Sequence, residues 1–180
     1  NPRKVFIGGN HEDRADRVAR NDPKWTGIIG SHNCQTRDFE RHPFLKIVEI
    51  DGIKYSHYFA NKMSGRALSG QSIDARIKTI SSSFTHGHQQ VFMFGRRETY
   101  GKAHYGLVAG NCYIHDESYR GIQANDEWRG IIVKNEVENG TYDINTVSLN
   151  FLCNRFENMP LDQFLAKKYP NMSLSLKNGL

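Results

Sequence analysis

Cysteine is scarce in this chain. Cys34, Cys112 and Cys153 are odd in number, far apart and form no C-x-x-C pair. That suits reduced structural thiols better than a disulfide framework or a zinc knuckle. Long apolar runs are absent too: none approaches the roughly 20 residues that span a bilayer, so no membrane partner is expected. There are no internal repeats and no low-complexity tracts, which removes solenoid and linker-like architectures. Nor is charge of one sign concentrated anywhere. The net charge is +5 and the pI near 9.1, yet Lys4, Arg14, Arg17, Arg20, Arg66, Arg96 and Arg97 are scattered along the chain. A polyanionic partner fits this balance, and so does a generally basic surface.

What is present is an ordinary globular composition. The 180 residues suffice for one domain with a real core. Hydrophobic residues make up 38% and the mean hydropathy is -0.63, neither disordered nor membrane-like. The cytoplasm is the expected compartment, a host cytoplasm if the source is a phage.

The stretch around residue 10 organises the reading. Val5, Phe6 and Ile7 suit a short buried strand, and Gly8-Gly9 free the backbone to turn at its end. Residues 13–19 then read as a helix with Glu12 and Asp13 at its start. This would leave Asn10, His11 and Glu12 on a loop at the carboxyl end of a strand, where open α/β sheets place ligand sites. Asn10 offers a hard carbonyl oxygen, and His11 an imidazole that titrates near neutral pH. Both suit metal-assisted hydrolysis.

Residues 21–43, rich in Asn, Asp, Pro, Gly and His, predict an irregular segment pinned by Trp25, Ile28 and Ile29. His32 and His42 have no partner spacing and read as surface or packing residues. Residues 45–50 and 53–58 predict strands joined by an Asp51-Gly52 hairpin turn, which puts His57 at a strand end. Residues 72–80 predict a helix capped by Ser72, with Ile73, Ile77 and Ile80 as its core stripe. Beyond Thr85-His86-Gly87-His88-Gln89-Gln90 the chain turns β-rich: an apolar run at 91–94, strands at 105–109 and 130–137, and an Asn139-Gly140 hairpin into a strand at 142–152. A short helix is predicted over 161–169, and a loosely packed tail continues to residue 180. His104 and His115 read as surface or hydrogen-bonded residues.

Gly9-Asn10-His11-Glu12 resembles the G-N-H-[DE] block of calcineurin-like metallophosphoesterases, and its extension through Asp13-Arg14 resembles the phage and bacterial branch. The later blocks come in that family's order. His57 matches the family's metal-binding His after a strand. Gly87-His88-Gln89-Gln90 resembles G-H-x-H, with Gln90 where the second His is expected; His86 lies near but at the wrong offset. Residues 110–113, Tyr119 and 128–130 carry a looser likeness to the segment downstream of that block in phage members.

The resemblance implies an α/β fold: the C-terminal half of a metallophosphoesterase β-sandwich flanked by helices, with a mixed sheet and hairpins. That partial domain would occupy residues 1–158, with a C-terminal helix and tail at 159–180. It implies two divalent metal ions (Mn²⁺, or Fe, Zn, Ni or Mg) in a complete site that hydrolyses a phosphomonoester or phosphodiester, nucleotides and nucleic acid included. Asn10, His57, His88 and, more weakly, Gln90 would be metal ligands. His11 would be catalytic, and Arg14 would contact the substrate phosphate. The family's D-x-H and G-D-x-x-D blocks occur nowhere in this chain. The chain opens without Met just before a strand bearing site chemistry, so an N-terminal half is expected as a separate chain or missing segment. A non-catalytic relative, structural or nucleic-acid-binding, with a degenerate metal site is the alternative.

Overall fold

The protein was analysed as a computed structural model that describes residues 2–114 and 127–170. Strand β1 (Val5–Ile7) runs into helix α1 (Asn10–Asn21), two short 3-10 turns come next, and β2 (Glu40–His42) returns parallel to β1. The tight hairpin β3 (Val48–Ile50) and β4 (Ile53–Ser56) is succeeded by α2 (Ile73–Ile80) and β5 (Ser83–His86). A long hairpin, β6 (Phe92–Thr99) with β7 (Lys102–Ala109), precedes another, β8 (Gly130–Glu138) with β9 (Thr141–Ser148). Helices α3 (Leu149–Glu157) and α4 (Leu161–Lys168) close the described chain.

The main sheet has five strands in the order β3-β4-β5-β7-β6. Its centre is parallel, β4 to β5 and β5 to β7, while both outer pairings are antiparallel hairpins. The fold is therefore α/β with a mixed sheet. Alternation along β5 sorts its side chains between two faces. Phe84 faces α2 and joins Phe59, Leu68 and Ile77 in the core, with its ring 5.5 Å from that of Phe59. Helix α2 forms where expected: the Ser72 hydroxyl accepts the Ala75 amide at 3.3 Å, and Ser81 ends the helix in a left-handed conformation. It sits close to the sheet because β7 offers a glycine beneath it. A methyl group at Gly106 would lie 2.8 Å from Ile77 Cγ1 and 2.9 Å from Phe84 Cζ.

On the opposite face the β8–β9 hairpin forms a second layer. The Tyr142 ring lies 5.2 Å from Tyr105 and 6.1 Å from Phe94. Lys134 points inward between the layers. Its ammonium donates to the Tyr55 hydroxyl at 3.1 Å and to Thr85 Oγ1, and lies 4.5 Å from the ring centroids of both Tyr55 and Tyr142. Burial pushes its pKa down to about 7.

Several expectations need correction. Helix α1 starts at Asn10 rather than Asp13, because Gly9 serves as its N-cap; Asn10 and His11 thus belong to a first helical turn, not a loop. The segment expected to be irregular contains β2, whose parallel pairing with β1 cannot be read locally. Ile28 is 61% exposed and pins nothing. The last predicted strand stops at Ser148, whose hydroxyl accepts the Phe151 amide at 3.1 Å and starts α3. His115, Tyr119 and the tail at 171–180 lie outside the described residues. Among those described, no helix is long and apolar enough to cross a membrane.

The Gly106 contact gives a direct test. Gly106→Ala is expected to lower stability by about 1–3 kcal/mol through overpacking. Adding Ile73→Val, which shortens the side chain 3.0 Å from the new methyl group, is expected to restore part of that loss. Urea denaturation midpoints of the two variants measure both effects.

Candidate metal centre

Three chain segments deliver polar side chains to one place, each from the carboxyl end of a strand. After β1, Gly9 turns the chain into α1. Its amide donates to Glu12 Oε2 at 2.7 Å and its carbonyl accepts the Asp13 amide at 3.1 Å. Residue 9 must be small, since a Cβ there would sit 2.9 Å from His57 Cε1. That closeness lets His57, immediately after β4, bring Nε2 within 2.7 Å of Asn10 Oδ1. His88, two residues beyond β5, adopts a left-handed backbone at φ 62 and brings Nδ1 to 3.2 Å from the same His57 nitrogen. Phe44 and Tyr58 wall the pair, with ring centroids 5.7 Å from His57 and 5.0 Å from His88 respectively.

Asn10, His57 and His88 therefore converge. Ligand atoms about 2.0–2.1 Å from a common cation in octahedral geometry stand roughly 3.0 Å apart. The two distances around His57 Nε2 bracket that spacing. Burial, reinforced by the charge of His88, lowers the His57 pKa to about 4, and burial with the charge of His11 lowers that of His88. Both imidazoles are consequently neutral at pH 7, the form that offers a lone pair to a metal. The donor set, one amide oxygen and two neutral imidazoles, suits one divalent transition metal but contributes no charge to balance it. Among the described residues no group of three or more His, Cys, Asp or Glu is placed to hold a metal ion. The nearby carboxylates are engaged: Glu12 caps α1, and Asp13 pairs with Arg17 at 3.0 Å and Arg20 at 3.3 Å.

The other expected residues sit around this centre in different ways. His11 is exposed on the first turn of α1 and lies near enough for its charge to act on both His57 and His88. Arg14 is exposed one helical turn beyond Asn10, on the same face. Gln90 does not join the cluster: its Nε2 donates to the Tyr113 hydroxyl, and its buried Oε1 has no partner among the described residues.

His86 turns away from the pair as well. Its Nδ1–H donates to the Gly87 carbonyl at 2.8 Å, leaving Nε2 to accept from Arg76 at 3.2 Å. Arg76, 2% exposed, also donates to Gln89 Oε1 and, through Nε, to the Gln71 carbonyl at 3.1 Å. Sequence reading passed over Arg76, because an arginine in an amphipathic helix normally marks the solvent face. Its effect is to fix the loop that carries His88.

The pKa shifts carry a pH dependence. His57 and His86, both lowered chiefly by burial to about 4, bind fewer protons folded than unfolded between pH 4 and the ordinary value of 6.5. Their contribution to stability is complete above pH 6.5 and is lost as the pH falls toward 4. Urea midpoints of the metal-free protein are expected to drop across that window, and the slope is expected to shrink in His86→Gln. As to relatives, no known family model, curated protein or solved structure matches this chain.

Proposed function

We propose that this chain is the C-terminal part of a metal-dependent phosphoesterase that hydrolyses phosphate esters. The observation that carries the reading is the convergence of Asn10 Oδ1, His57 Nε2 and His88 Nδ1 from residues 47 and 31 positions apart in sequence. A divalent cation held by these three would supply Lewis acidity and lower the pKa of a bound water. The chain's own groups have separate tasks. His11, exposed beside the pair, donates a proton to the leaving oxygen or stabilises charge on the phosphoryl group. Arg14 extends the same helix face toward the substrate's negative charge. The carboxylates that balance two cations come from the N-terminal half of the domain, supplied by another segment or chain.

A second reading has a specific observation in its favour. Gln90 is turned to Tyr113 rather than toward the histidines, as in a relative that binds nucleic acid or builds structure with a degenerate site. Hydrolysis of bis-p-nitrophenyl phosphate with Mn²⁺, by this chain alone and with a carboxylate-bearing N-terminal half, separates the two. In the complemented protein, His57→Ala and His88→Ala are expected to weaken Mn²⁺ binding, and His11→Ala to lower kcat about 10²- to 10⁴-fold. Activity that survives all three substitutions would sink the phosphoesterase reading. Nucleic-acid binding indifferent to chelation, with no hydrolysis in the complemented protein, would favour the second.

A further inference from the structure

A cavity of about 560 Å³ opens beside the histidine pair, against the C-terminal end of α2. Helix α2, which packs mainly on β5, β6 and β7, contributes Thr79 and Ile80 to the cavity lining, and β4 contributes Lys54. Its volume falls in the range of small-molecule sites. The walls are largely apolar, including Leu45, Ile47 and Tyr58, while Lys54 and Lys62 line it and, among the described residues, no carboxylate does. Tyr58 is a shared wall, for the same ring lies 5.0 Å from His88 and 5.8 Å from His57. Leu45 supplies part of the apolar wall and is 41% exposed. Its left-handed backbone, φ 66, belongs to the turn that the Lys46 amide closes on the Pro43 carbonyl at 3.1 Å.

We propose that the cavity is a nucleoside subsite for the phosphodiester substrate. This rests on the phosphoesterase reading only for placing the scissile phosphate at Asn10, His57 and His88. An aromatic base stacks on Tyr58 beside Leu45 and Ile47, a contact that tolerates any base sequence. The next phosphate along the strand meets Lys62 and Lys54, the latter with Glu49 as its cross-strand neighbour. The substrate class is therefore single-stranded nucleic acid or a nucleotide, rather than a phosphoprotein. An aliphatic phosphate would gain the apolar wall but neither the stacking nor the second charge contact.

Binding measured in chelator isolates this claim from catalysis. Tetrathymidylate, an abasic deoxyribose-phosphate tetramer and dodecyl phosphate are compared by calorimetry on the chain as it stands. Tetrathymidylate is expected to bind at least roughly tenfold tighter than the abasic tetramer. Leu45→Gly, which removes wall and strain together, is expected to weaken tetrathymidylate binding while leaving the thermal midpoint level or higher. Lys62→Gln is expected to reduce the salt slope by about one. Equal affinity for the two tetramers, preference for dodecyl phosphate, or no binding of any ligand because polypeptide fills the cavity would each overturn the subsite. Failure of the phosphoesterase reading shows elsewhere, as histidine imidazole NMR signals that Mn²⁺ leaves unmoved.

Discussion

The parallel pairing of β4 with β5, in the register that sets Ser56 opposite His86, is the constraint on which the rest of this molecule depends. It brings two strand ends side by side, so that His57 and His88 leave the sheet as neighbours. A slip of one residue would carry His57 to the other face, because side chains alternate with period two. The register is held by the packing of α2, whose Ile77 and Ile73 settle onto Gly106 and Gly95, and by Phe84 beneath them. The hydrophobic core and the candidate site are in this sense one construction. The helix that buries the apolar stripe also sends Arg76 through to His86 and Gln89, behind the loop that carries His88.

Two enclosed cations differ from the buried Glu127, which pairs with Arg129. Arg76 and Lys134 lie within the protein with hydrogen-bond acceptors and aromatic rings around them, but no carboxylate partner among the described residues. The nearest carboxylates to the histidines cap or brace α1. A cation held by Asn10, His57 and His88 needs negative charge from outside these residues. The same need makes an anionic ligand and an acidic polypeptide complement each a consistent partner. The cavity at Tyr58 lies alongside, with Lys54, Lys62 and apolar residues among its lining.

Much of the secondary structure was legible locally. Asp51-Gly52 and Asn139-Gly140 both take up left-handed backbones, φ 50 with 78 and φ 51 with 89, and turn their hairpins as those dipeptides do. Ser72 caps α2 through its hydroxyl. Where a competing signal lay close by, the reading failed. Ser148 could continue a strand or start a helix, and its side-chain hydrogen bond to Phe151 decided for the helix. Lys134, read simply as part of a strand, turned out to be enclosed because the opposite layer offers Tyr55, Tyr142 and Thr85.

The sequence by itself determined that Asn10, after a glycine pair, and His57, after β4, leave strand ends; β5, the strand from which His88 leaves, was not read from it. These positions come from short-range signals, namely turn residues, apolar runs and caps. Only the tertiary structure decided which of them meet. It joined His57 to Asn10 and His88, turned His86 toward Arg76 and drew Gln90 to Tyr113. The reason is that parallel strands are joined by long crossovers, so their pairing rests on burial across many residues rather than on any local turn.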